Sequence, residues 1–497
     1  ELKAPIANSL SASTSSVPNS LEMESPISTK NAKQNQRVSE TDWRAVRITF
    51  ITAFLMMVES GVVSLAEWPY MQQVDSQATV AFKGEASSLM QATRAVSCLL
   101  FGFWQYRWQQ SKFPLIFGRL IAYTGIVLYL LVELFPSNRR YVMMSASILF
   151  AIASSSTSVL RAYSVRISSD EDRAKVFALL MLAALLSVIL SPLTQLAFSS
   201  IRYPGYQILP HVLFHAYSAP AWLALFTNTI AVVIICCFFR DPKRKTLRRS
   251  SQEAISIKRV KRILRTLRDV PFSWTLVAVV MFVKVVEQYN MSMLSTMIQP
   301  MLMVLHGLDG IETVRATSIL MVVVGVCAIG VAALFILAKL AERVSLPILF
   351  TISLLGVLGM FIVTYPYPTA EVVHAFNATT GSGCSSDSYT WCDSASVGFP
   401  AGVFLVTIAC VLGISAPLNL VSLDTIYSKI IGSDVDQSIM QSIIVVVQDV
   451  AVIFAPMLTT WIFTDFGVPP VWITSMCATV AGIIVWIGAY RWIRKYA

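Results

Sequence analysis

Apolar residues in this chain come in long unbroken blocks, not in the alternation of a strand or the one-sided stripe of a surface helix. A helix needs about 20 apolar residues to cross a bilayer. Twelve windows reach that scale: 46–66, 86–105, 114–135, 141–164, 175–198, 213–239, 272–299, 316–338, 346–365, 399–422, 438–463 and 469–490. The fourth is the most polar, interrupted by Ser154, Ser155, Ser156, Thr157 and Ser158; small hydroxyl residues are accepted where helices approach closely or line a cavity. Six windows precede a long polar stretch and six follow it. The pattern predicts an all-α membrane protein of two six-helix halves, 43–239 and 272–490, joined by a linker at 240–271 and ending in a short tail at 491–497. Residues 1–42 are rich in Ser, Asn, Pro and Lys, contain no aromatic residue and are expected to form a disordered tail. No small-residue cleavage site follows the first window, so it is expected to be an anchor and not a leader peptide.

Composition agrees with that pattern. Of the 497 residues, 13% are charged and 55% hydrophobic, where a soluble chain carries about 25% charged residues; the mean hydropathy is +0.65. A secreted enzyme, a nucleic-acid-binding module and a disordered scaffold are all excluded on this ground. The net charge of +10 is spread unevenly. With both termini in the cytosol, the tails and inner loops carry 29 Lys and Arg, the outer loops five (Lys83, Arg139, Arg140, Arg202, Arg315) and the windows four (Arg94, Arg119, Arg161, Lys284). Basic residues concentrate on the cytosolic side of membrane proteins, so both termini are expected to be cytosolic. Twelve of the basic residues lie in 240–268 against Asp241 and Glu253. That loop is expected to orient the chain and join its halves, and to attract anionic lipid headgroups at about 1 kcal/mol per charge.

The longest outer loop, 366–397, holds the acceptor sequon Asn377-Ala378-Thr379 and the pair Cys384 and Cys392. Glycosylation at Asn377 and a 384–392 disulfide both require a lumenal or extracellular face, in agreement with the charge bias. The string Asn290-Met291-Ser292 falls inside a window and is expected to stay unmodified. Cys98, Cys236, Cys237, Cys327, Cys410 and Cys477 lie in apolar segments and are expected to be packing residues.

Two six-helix halves around a basic cytosolic loop resemble the major facilitator superfamily. Local strings resemble a lysosomal branch of it: Trp68-Pro69-Tyr70 with Asp75; Phe101-Gly102-Phe103-Trp104 with Tyr106-Arg107 and Pro114-Leu115; Arg161-Ala162-Tyr163; Gly383-Cys384-Ser385 with Trp391-Cys392; and Tyr427-Ser428-Lys429-Ile430. The resemblance implies a carrier whose halves rock about a mid-membrane site lined by spans one, four, seven and ten, a lysosomal or late endosomal membrane, and chloride permeation as a candidate activity. The chain also departs from the family pattern. Between spans two and three the family's Gly-x-x-x-Asp-Arg signature reads Gly102-Phe103-Trp104-Gln105-Tyr106-Arg107, which keeps the basic residue and lacks the acidic one. In span eleven Val452 stands where a relative places a basic residue ahead of its Gly-Pro, here Ala455-Pro456.

Ionisable side chains at mid-membrane cost about 2.5–3.5 kcal/mol each on insertion scales, so each invites a functional question. Glu59, Arg94, Lys284, Glu287 and Asp449 lie deepest. Lys284 and Glu287 share a helix face, and Glu59 and Arg94 lie at similar depth on consecutive spans; each pair either holds helices together or faces the cavity, with Gln288 and Asn290 extending the stripe on span seven. Asp449 has no basic neighbour at its depth nearby in sequence, so it is either a neutral hydrogen-bonded group or a proton carrier. Arg161, with Arg107 and Asp424, lies near inner span ends, where a cytosolic gate would close or where the side chain would simply snorkel to the interface. Met291, Met293, Met297, Met301 and Met303 read as flexible packing. His211, His215, His306 and His374 are scattered, and no P-loop, metal-ligand spacing or G-x-S-x-G occurs. The expectation is a transporter and not an enzyme, without metal or cofactor, taking a small solute or an anion such as chloride, with proton coupling open. Chloride conduction and a transporter-fold receptor are the rivals.

Overall fold

The computed structural model describes residues 41–495 apart from 109, 169–171, 210–211, 242–272, 338–339, 368–373, 378–381, 387–388, 393–398 and 432–436. The tail before residue 41 and the basic linker, with its expected lipid contacts, lie outside the described residues. The spans are one (Trp43–Val74), two (Val80–Trp108), three (Lys112–Leu130), four (Arg139–Ser155 and Thr157–Ile167), five (Arg173–Phe198) and six (Ala219–Cys237) in the first half. The second half has seven (Trp274–Val304), eight (Gly310–Leu337), nine (Leu346–Val363), ten (Ala401–Ile431), eleven (Gln437–Phe466) and twelve (Val468–Ile493). Among the described residues, eleven helices are long and apolar enough to cross a membrane; span two, at 29 residues, is long enough but carries Lys83, Glu85, Arg94 and Arg107.

Several helices run past their apolar windows, and three differences from the hydropathy reading bear on the site. Span two starts six residues earlier than its apolar window, so Lys83 belongs to the helix and not to an outer loop. Tertiary contact holds that polar turn in place: Gly84 lies directly against the Thr460 side chain, leaving no room for a Cβ. Span six starts at Ala219; Leu213 and Phe214, read as its beginning, instead belong to β2 (Val212–Phe214), which pairs antiparallel with β1 (Tyr206–Leu209). Span four is broken at Ser156, within its run of hydroxyl residues.

Packing repeats with a shift of six spans. Span one lies against five and six as seven lies against eleven and twelve; three against four and six as nine against ten and twelve; two against four as eight against ten. The halves meet through two against eleven and five against eight. Such a repeat is the pseudo-two-fold arrangement of transporter bundles. It also separates spans one and two, neighbours in the chain, since span two packs on spans four and eleven.

The apolar core is divided unevenly. On the side of the Asn377 loop (the sequon side), one continuous cluster runs from Val62, Trp68 and Tyr70 through Tyr217 to Met297, Met301, Phe404 and Trp472, so both halves share it. On the side of Asp241, where the linker begins (the linker side), each half has its own cluster: Met56, Leu160 and Tyr163 in the first, Phe350, Tyr427 and Trp486 in the second. The Asn377 loop packs onto the shared side: Trp391 Nε1 donates to the Phe463 carbonyl at 2.8 Å, and the Gly383 amide donates to the Met303 carbonyl at 2.8 Å. Gly467, at φ 86°, lets the chain turn under the Trp391 ring. Large side chains such as Leu99, Phe103, Phe454 and Ile484 point outward, as lipid contact requires.

Candidate functional site

The charges named from sequence do not assemble as expected. Glu59 pairs with Arg119 of span three, Nη1 to Oε2 at 2.5 Å, and not with Arg94. Both are essentially sealed, at 4% side-chain exposure for Glu59 and 1% for Arg119, and Arg119 Nη2 also donates to the Ala153 carbonyl at 3.0 Å. That bond ties Arg119 to the interrupted turn of span four, where the Ser156 amide and hydroxyl also donate to the Ala153 carbonyl, at 3.1 and 2.6 Å. The pair is therefore part of the first half's internal frame. Arg94 is exposed on span two, and its charge acts on Asp449 of span eleven. Asp449 is thus not isolated; its basic neighbour comes from the opposite half, which sequence distance hides.

Lys284 and Glu287 do pair, at 3.1 Å, and Lys284 also reaches Asp424 at 3.8 Å. Lys284 and Glu287 are 2% and 6% exposed and Asp424 is 43%, so the pair is interior and only its span-ten partner reaches open space. Asn290 is buried against span twelve, donating to Thr479 Oγ1 at 2.8 Å, and does not extend a cavity stripe. Met293, Met297, Met301 and Met303 are packed in the shared core. Arg161 and Arg107 are exposed near the linker side. At the junction where the family signature lacks its acidic residue, Asp241 accepts from the Ser111 amide at 2.7 Å and the Lys112 amide at 3.4 Å. Arg166 donates to Ser111 Oγ at 2.5 Å. An aspartate from the far end of the first half thus holds the start of span three. In the Asn377 loop, Asn377 is exposed, Ala378 and Thr379 lie outside the described residues, and Cys384 and Cys392 stand at disulfide distance with Cα atoms 5.7 Å apart.

A different group of residues forms a cavity between the halves. Spans one, two, seven and eleven enclose about 170 Å³ lined by Ser64, Glu67, Trp68, Lys83, Gln91, Ser295, Gln299 and Pro456 among others. Ser147 donates to Glu67. Lys83 Nζ stands 5.1 Å from the centroid of the Trp68 ring and donates to Gln299 Oε1 at 3.4 Å, and Gln299 Nε2 donates to the Leu65 carbonyl at 2.9 Å. Both halves therefore contribute polar groups to one space, and Trp68 and Met71 of its lining belong to the shared core. Sequence reasoning missed Glu67 and Lys83 because each lies just beyond an apolar window. The adjoining Trp68-Pro69-Tyr70 string was the one available signal.

The Major Facilitator Superfamily model matches residues 48–417. The chain belongs to that superfamily. Over 209 residues it is 27% identical to major facilitator superfamily domain-containing protein 8 of Xenopus laevis, which is 42% of this chain and 41% of that relative. The matched part thus spans less than half of the relative's length. Among solved structures, a D-xylose–proton symporter aligns with TM-score 0.63 and 12% identity, covering 90% of this chain and 98% of the other. A bacterial homologue of the human lysosomal transporter Spinster, in an inward-facing occupied conformation, aligns with TM-score 0.58 and 14% identity over 91% of this chain and 96% of the other. At such identity these two establish the fold. The chain is a multi-pass membrane protein of a transporter superfamily.

Proposed function

We propose that the chain is a carrier moving a small solute across a lysosomal or late endosomal membrane by alternating access, with both termini in the cytosol. One observation carries this reading: a polar cavity formed by both halves, which share one apolar core on the sequon side while their cores on the linker side stay separate. That is one of the two states an alternating carrier needs, and the repeated packing of the halves supplies the route to the other. The charge bias, the sequon and the cysteine pair support a lumenal sequon side, and the likeness to a lysosomal branch of the superfamily supports the organelle. Proton coupling is assigned to Asp449. Protonation removes its attraction to Arg94 across the two halves and so loosens their contact.

Chloride conduction is the second reading, favoured by Lys83 in the cavity and by exposed Arg94 and Arg161. Gly84→Leu separates the two, because its side chain occupies the place of Thr460 and props the sequon side open. In proteoliposomes tested with sugars, nucleosides, amino acids and chloride, a carrier loses solute exchange in this variant and a channel gains current. Flux that follows the proton gradient in wild type and not in Asp449→Asn supports the coupling assignment. Absence of flux for every solute in wild type supports the receptor alternative.

A further inference from the structure

Glu67 and Lys83 are of opposite charge, line the same cavity and feel each other's field, yet they do not meet in an ion pair. Each is held by a neutral partner, Ser147 for Glu67 and Gln299 for Lys83, the latter at 3.4 Å, a long bond that a better acceptor displaces. Two opposite charges on the lining of one cavity, each without the other as partner, complement a ligand that carries both. The surroundings refine the match. Ser64 lines this cavity and also a second hollow of about 480 Å³ between spans one, five and eight, whose other lining residues include Met57, Leu65 and Met321. The charged cavity therefore adjoins a mainly apolar one through a single shared residue.

We propose that the site takes a zwitterion bearing an apolar substituent, with its carboxylate or phosphate on Lys83, its ammonium on Glu67 and its apolar part past Ser64 beside Leu65 and Met321. The proposal rests on the carrier reading and names the substrate class for it. An aliphatic amino acid and a single-chain zwitterionic phospholipid share this chemistry. A single-charge solute satisfies one side chain and leaves the other facing an unmatched group, and losing one charged hydrogen-bond partner costs about tenfold in affinity or more.

The test uses the purified full chain, with ligand binding read by thermal shift and exchange read in proteoliposomes. The probes are L-leucine, lysophosphatidylcholine, leucinamide (which lacks the carboxylate), 4-methylpentanoate (which lacks the ammonium), D-xylose and chloride. The expected result is that leucine or lysophosphatidylcholine binds about tenfold or more tightly than either single-charge analogue, and whichever binds identifies the source. Lys83→Gln should erase the preference for leucine over leucinamide, and Glu67→Gln the preference for leucine over 4-methylpentanoate. The exchanged pair Glu67→Lys with Lys83→Glu should recover zwitterion binding, which guards against a variant that simply misfolds. Chloride or 4-methylpentanoate binding as tightly as the zwitterions overturns the proposal, as does a ranking that neither variant changes. Exchange of D-xylose or chloride without any zwitterion overturns the class while the transport reading survives; no exchange of any probe overturns both.

Discussion

The two ends of the bundle are built differently. On the sequon side Trp68, Tyr70, Tyr217, Met301 and Trp472 belong to one core that crosses between the halves, and the Trp391 loop lies over it. On the linker side the aromatic anchors stay within their own halves, Tyr163 stacking near Phe239 in the first and Phe350 near Trp486 in the second. Close packing between two bodies is lost as a unit when they separate, since interiors do not deform continuously. On the carrier reading proposed above, opening one side breaks apolar packing and closing the other makes new contacts. The difference makes the sequon side the end where packing joins the halves and the linker side the end where each half keeps its own core.

The sharpest way to break that contrast is Gly84→Leu. A side chain driven into Thr460 should shift the population away from sequon-side closure and lower solute exchange by about an order of magnitude or more, since roughly 1.4 kcal/mol of clash is already tenfold. Labelling of a cysteine introduced at Ser295 should rise from the sequon side in the same variant. An unchanged rate and unchanged labelling would mean that this contact does not gate access. Next in size is Arg119→Leu, which leaves Glu59 buried without its partner and is expected to cost about 3–5 kcal/mol. The melting temperature should fall sharply and recover in the double variant Glu59→Leu with Arg119→Leu. Failure to recover would show that Arg119 acts mainly through the Ala153 carbonyl.

A smaller effect is expected at the linker side from Asp424→Asn. Its carboxylate is 43% exposed and stands 3.8 Å from Lys284, which keeps Glu287 at 3.1 Å, so stability should change by less than about 1 kcal/mol. A large loss of stability would mean that span ten is clamped to span seven more firmly than this geometry indicates. An effect that appears only as pH falls belongs to His306, between spans seven and eight beside Phe399 and Phe404. Burial, and then His374, hold its pKa at about 4. The unfolded chain takes up that proton near 6.5, the folded protein near 4, so His306 lowers stability as pH falls through that window. His306→Gln should therefore narrow the difference in melting temperature between pH 7 and pH 5. An unchanged difference would mean that the ring is not sheltered.

The sequence was strongest where the physics is local. Runs of about 20 apolar residues are legible because a lipid-crossing helix must satisfy its backbone internally and cover itself with apolar side chains, and both requirements act within one segment. The Lys284–Glu287 pair was legible for a similar reason: residues three apart on a helix are neighbours wherever the helix goes. The partners of Glu59 and Asp449 were not. Arg119 is 60 positions from Glu59, and the charge that acts on Asp449, Arg94, comes from the other half. Proximity in the chain suggested Glu59 with Arg94, but the fold places spans one and two apart. Glu67 and Lys83 failed differently. A hydropathy window ends where polarity begins, and polarity begins at these positions because the cavity does. The sequence by itself determined that the chain crosses a membrane in two six-helix halves, since burial in lipid is set segment by segment. Only the tertiary structure decided which charges meet and where the halves enclose a site, because those depend on contacts between segments that no local pattern records.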